Sequence, residues 1–177
     1  MTYNEYKAGA RTTATYPEEL SAEYLTLGIR GEGGEVCDKV KKMIRDYGWK
    51  PGDLIPQDCV RGIALELGDV MWYAANLSHE TKVKMGIGKC DDDDSVDRNY
   101  YDPAYYNSRN LVSMAKRMMD TITDEEVGKS YVGWVINAVG AVAACIDMKL
   151  SEICQMNLDK LADRKLRHKL NGEGDYR

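Results

Sequence analysis

The stretch Tyr24–Asp46, YLTLGIRGEGGEVCDKVKKMIRD, decides the fold class. Leu25, Leu27, Ile29 and Val36 recur at helical spacing, and Lys39 and Lys42 follow Glu32 and Glu35 along the same side. Yet Gly31, Gly33 and Gly34 crowd around the two glutamates, and each glycine weakens a helix by about 1 kcal/mol relative to alanine. Side chains are missing here for a reason: bare backbone lets a neighbouring helix or a ligand come close. Gly68, between Glu66 and Asp69, repeats the device.

Outward from this stretch the periodicity stays helical. Helices are expected at about 18–46, 57–86, 104–121, 124–148 and 151–168, with Pro17, Pro51, Pro56 and Pro103 at their ends. No segment alternates as a strand does, so the fold class is all-α, a helical bundle. The loop DYGWKPGDLIPQD separates the first two helices, and GIGKCDDDDSVDRNYYDP forms a second. EVCDKVKKMI (35–44) echoes NLVSMAKRMM (110–119), and LGDVMWYAANL (67–77) echoes VGWVINAVGAV (132–142). In that register a degenerate second copy would have lost every acid of the first, although two amphipathic helices often look alike by chance.

The 177 residues suit one domain with a real core. A formal charge of −5 argues against a nucleic-acid surface, and no apolar run reaches the roughly 18 residues of a membrane span. The five cysteines, Cys37, Cys59, Cys90, Cys145 and Cys154, are odd in number and form no CxxC. With no signal peptide ahead of them they read as reduced thiols of a cytoplasmic protein.

The chemistry lies in two carboxylate pairs. Glu32 and Glu35 share one helix face with Lys39 and Lys42; Glu66 and Asp69 share another with Tyr73, Asn76 and Glu80. Acids at i, i+3 are common on solvated faces, but two such pairs on consecutive helices, each among apolar neighbours, call for a compensating cation. Oxygen-only ligands suit Mg²⁺ or Mn²⁺. The only histidines, His79 and His168, do not make the Glu-x-x-His of helical di-iron sites. Asn157, Lys160, Arg164 and Arg167 share a face of the last helix, either as an ordinary basic helix end or as a phosphate clamp. Trp49 either caps a base or anchors its loop on the core.

GEGGEV…ALELGDVMWY resembles the ExxE…ExxD signature of the MazG-like, all-α nucleoside triphosphate pyrophosphohydrolases. ARTTATYPEELSAEYLTLGIRGEGGEVCDKVKKMIRD resembles the N-terminal half of small bacterial and phage members, and LSEICQMNLDKLADR with the closing GEGD-R resembles their C-terminal part. The resemblance implies Mg²⁺-dependent cleavage of a (deoxy)nucleoside triphosphate between the α and β phosphates, with two or three ions per site. It implies Glu32, Glu35, Glu66 and Asp69 as metal ligands and catalytic residues. Lys39, Lys42, Lys160 and Arg164 become phosphate contacts, and Tyr73, Asn157, Thr13 and Tyr16 nucleotide contacts. It also implies a homo-oligomer, dimer or tetramer. The base stays open between dGTP or GTP, as in a phage branch of the family, and a pyrimidine such as dCTP or dUTP. A non-catalytic nucleotide-binding scaffold of the same fold is a further alternative. The departure is a segment of about 81–147, carrying a helix pair, inserted between a core of 1–80 and 148–177. It leaves open whether the clamp comes from the same chain or a neighbouring subunit.

Overall fold

The computed structural model describes residues 1–86, 94–99, 101–124 and 130–170. Among the described residues there are six α-helices: α1 (Tyr3–Arg11), α2 (Ser21–Tyr47), α3 (Gln57–Thr81), α4 (Leu111–Thr123), α5 (Tyr131–Cys145) and α6 (Leu150–Leu166). A 3-10 turn, Ser108–Asn110, leads into α4. No strand occurs among the described residues, which bears out the all-α expectation.

Local chemistry sets the ends. The Thr2 hydroxyl accepts from the Glu5 amide while the Glu5 carboxylate accepts from the Thr2 amide, a capping box that starts α1. Gly48 closes α2 in the left-handed region at φ 62°, and α3 starts directly after Pro56. Three expected boundaries move by five residues or more, the first being the helix expected to run to 86, which ends at Thr81 where Lys82 turns left-handed. The helix expected from 104 begins at Leu111, because Asn107 accepts from Arg109 and its amide group ties back to Pro103 and Ala104, holding a turn there. The helix expected from 124 begins at Tyr131.

Helices α2 and α3 form a hairpin, and α4 and α5 form a second. The hairpins face each other, α2 on α4 and α3 on α5, while α1 and α6 both lie against α3. The α4–α5 pair therefore completes the core. Along α5, Val135, Ile136, Val139 and Val142 are buried. Trp49 is also buried, its indole donating to the Asp53 carbonyl, so it anchors the loop. Among the described residues no single helix is long and apolar enough to cross a membrane.

Close approach explains part of the glycine pattern. A Cβ on Gly68 would stand 2.9 Å from Asn157 Cβ, so α6 reaches α3 only over a bare backbone. A Cβ on Gly33 would meet Ile122 of α4 at 2.7 Å. Gly31 and Gly34 differ, since nothing lies within 4 Å of either position. Of the expected features, Cys90, most of the acidic run, the middle of TDEEVGKS and the tail 171–177 lie outside the described residues.

Candidate metal and phosphate site

Antiparallel packing of α2 and α3 brings three of the four expected carboxylates together. Glu32, Glu66 and Asp69 each offer an oxygen within 4.8 Å of the other two. Glu35 is exposed and lies outside this triad, although its charge still reaches Glu32.

Each member of the triad is held. Glu66 is buried, with Lys39 Nζ 3.0 Å away. Asp69 accepts from Asn157 Nδ2 at 2.9 Å and from Lys160 Nζ at 2.5 Å. The buried Tyr6 hydroxyl donates to Asn157 Oδ1 at 3.1 Å, which fixes the amide with its nitrogen toward Asp69. Glu32 has its carboxyl pushed up to about 7, first by burial and then by the Asp69 and Glu66 charges, with Lys160 opposing. Asn157 and Lys160 thus come from α6 of the same chain.

Below the triad a cleft of about 990 Å³ opens between α2, α3 and α6. Lys39, Lys42, Arg61, Lys160 and Arg164 line it. Arg164 is buried, whereas Lys42 is exposed and pairs with Asp38. Lys41 and Lys42 together hold the Asp38 carboxyl down at about 2.

Above the triad lies an aromatic group. The Tyr73 ring sits against α2 where a Cβ on Gly28 would be 2.2 Å away. Its neighbours are Trp72 and Tyr24, with centroids 5.0 and 6.2 Å apart, and Tyr16 stacks on Tyr24 at 5.8 Å. Beyond it, Tyr16 donates to Glu80 at 2.8 Å and Arg11 bonds both Glu80 and the Tyr16 hydroxyl. Thr13 reaches this set through Trp72. It is buried, donating to Ala10 and accepting from the Trp72 indole, so its hydroxyl belongs to packing.

Tyr6, Tyr24, Arg11 and Glu80 carry no role in the sequence reading. The signal for Tyr6 and Arg11 was the Thr2–Glu5 capping box, which announces α1; Glu80 lay on the face of Asp69 and Tyr73.

No family model matches the chain, and no solved structure matches it. The chain is similar to the Gene 37 protein of Mycobacterium phage L5, 43% identical over 86 residues that cover 44% of this chain and 70% of that protein.

Proposed function

Because the chain belongs to the family of the Gene 37 protein of Mycobacterium phage L5, a name that states no activity, we propose its function from the chemistry of the site. The chain is a MazG-like nucleoside triphosphate pyrophosphohydrolase that releases a monophosphate and pyrophosphate. One observation carries the reading: three converging carboxylates, one of which, Glu66, lines a cleft that also holds Lys39, Lys160 and Arg164.

The donor set fits a hard divalent cation. Three carboxylates in a partly buried site repel one another, as the raised Glu32 carboxyl registers, and two lysine ammoniums already stand on Glu66 and Asp69. Glu32, Glu66 and Asp69 would hold Mg²⁺ or Mn²⁺. When bound, the ion would acidify water and neutralise charge on the leaving phosphates.

The chain's own residues do the rest. Lys39 and Lys160, which stand on Glu66 and Asp69, would bind phosphate oxygens, joined by Lys42, Arg61 and Arg164. Water forms a bond to the α-phosphorus as the bridging α–β bond breaks, and pyrophosphate leaves. Glu35, outside the triad and not pinned by a lysine, accepts the proton of that water. Tyr73, Tyr24 and Tyr16 form the side on which the nucleoside lies.

For the base the reading is guanine. Glu80 stands eleven residues, about 16 Å, beyond Asp69 on the same face of α3. A carboxylate accepts from the N1 and N2 hydrogens of guanine, and an arginine donates to O6 and N7, as Glu80 and Arg11 can from their shared network. The test is incubation with each dNTP and Mg²⁺, with product analysis. Deoxynucleoside monophosphate and pyrophosphate are expected, fastest from dGTP. Orthophosphate as the product points to a different phosphoesterase. Absence of turnover on every nucleotide leaves the scaffold reading, which the lysine-neutralised triad favours.

A further inference from the structure

Asn157 of α6 is only 1% exposed, and both ends of its side-chain amide are spent inside the protein. Its Nδ2 donates to Asp69 Oδ1 at 2.9 Å. Its Oδ1 accepts from the Tyr6 hydroxyl of α1 at 3.1 Å. A carboxylate only accepts, so the amide meets Asp69 through its nitrogen, and its oxygen then needs a donor of its own. Tyr6, 0% exposed, brings that donor, and the same hydroxyl stands 3.4 Å from the Gly68 carbonyl. Met156, Asp159, Lys160 and Arg164 line the cleft from α6, whereas Asn157 turns to α1 and α3. Gly68 makes the reach possible, since a Cβ there would stand 2.9 Å from Asn157 Cβ.

We propose that Tyr6 is a positioning residue of the carboxylate triad, acting through Asn157, and that the Asn157 amide serves the metal site rather than the nucleotide. This rests on the reading of Glu32, Glu66 and Asp69 as ligands of a divalent cation. Asp69 has two oxygens to keep in place. Lys160 meets Oδ2 at 2.5 Å with an ammonium on a flexible stem. That contact restrains a distance but not the plane of the carboxylate. The amide on Oδ1 is itself tied at its far end, so it restrains the plane. Without the Tyr6 hydroxyl the amide oxygen is buried and unpaired, and the group turns to find another partner. Asp69 then loses the donor that sets its oxygens toward Glu32 and Glu66. Outer partners of this kind orient the ligands and change metal affinity about 10–100-fold. Helix α1 thereby becomes part of the site, although it carries no acid of the triad.

Tyr6→Phe keeps the ring and removes only the hydroxyl. Calorimetric titration of the full chain with Mn²⁺ should give a Kd raised about tenfold or more, and Asn157→Leu should raise it as much. Because the two residues act in series, the double variant should bind Mn²⁺ no worse than Asn157→Leu alone. In turnover, the half-saturating Mn²⁺ concentration should rise, while KM for the nucleotide at saturating Mn²⁺ stays within about twofold. A purely structural Tyr6 would lower the melting temperature and leave the Mn²⁺ Kd alone, which overturns the proposal. So do additive losses in the double variant, or an Asn157→Leu chain whose defect lies in nucleotide KM. One measurement needs no variant: by NMR, the Asn157 side-chain amide protons of the natural chain should exchange slowly with solvent. Exchange as fast as that of a free asparagine side chain overturns the proposal too. A natural chain without affinity for Mn²⁺ refutes the proposed function and the metal role of Tyr6 together. A natural chain that binds Mn²⁺ beside an unchanged Tyr6→Phe refutes the role of Tyr6 alone.

Discussion

Replacing Glu32 by glutamine should make the metal-free protein more stable while it destroys the site. The shape of the residue is kept and only its charge is lost. In the folded chain the Glu32 carboxyl titrates near 7, against an ordinary 4.5. A raised carboxyl favours folding in its neutral form. The contribution is therefore complete below pH 4.5 and lost as pH rises through 7. Each pH unit of that interval is worth about 1.4 kcal/mol, so the charged form weakens the fold by up to about 3 kcal/mol at pH 8. Partial exposure of Glu32 brings the expected gain of Glu32→Gln to about 2 kcal/mol, or some 4–8 °C in melting temperature for a chain of this size. At pH 4 the two proteins should melt together. Mn²⁺ should reverse the order at pH 8, stabilising the natural chain and not the variant, because the ion binds only the folded triad. Thermal unfolding at pH 4 and pH 8, with and without Mn²⁺, reads all of this. A Glu32→Gln protein that is less stable than the natural chain at pH 8 without metal would refute the claim that burial, and after it the Asp69 and Glu66 charges, disfavour the charged Glu32 carboxylate.

Lys160→Met removes the ammonium that opposes the raised Glu32 carboxyl, so metal binding should need a higher pH and kcat/KM should fall about 10²-fold; an unchanged pH profile argues against contact between Lys160 and the site. Glu35→Gln should lower kcat by 10²–10⁴-fold, approximately the worth of a proton acceptor, while Mn²⁺ affinity measured by calorimetry changes far less than in Glu32→Gln. Equal losses of Mn²⁺ binding would make Glu35 a ligand like the other three. Gly28→Ala drives a methyl into the Tyr73 ring and should destabilise the fold by about 1–3 kcal/mol in chemical denaturation; a neutral result would mean that the ring does not rest on α2.

Much of this was legible in the chain. The apolar spacing of α2, α3 and α6 located these helices, and their i, i+3 acids gave the triad apart from Glu35. Asn157 and Lys160 were found because they share a helix face, but periodicity says nothing of which subunit supplies them; tertiary packing of α6 on α3 does. Helix α1 escaped because nine residues carry too little pattern, although Thr2 and Glu5 signal its start. Thr13, expected from its place in the chain to meet the nucleotide, spends its hydroxyl in the fold on the Trp72 indole. The glycine argument held for Gly33 and Gly68, which touch other helices, and failed for Gly31 and Gly34, which touch none. No sequence pattern separates those two cases, since all four lie in helices beside acids.

The link from Tyr6 through Asn157 to Asp69 has a consequence in time. Its two hydrogen bonds join residues 151 and 88 positions apart. During synthesis the α2–α3 hairpin, with all three carboxylates, leaves the ribosome long before α6 exists. Until residue 160 emerges, Asp69 lacks its amide and its ammonium, and Glu32 and Glu66 face a partner charge that nothing holds in register. Nascent chains therefore carry the three acids before Asp69 has either of its partners from α6.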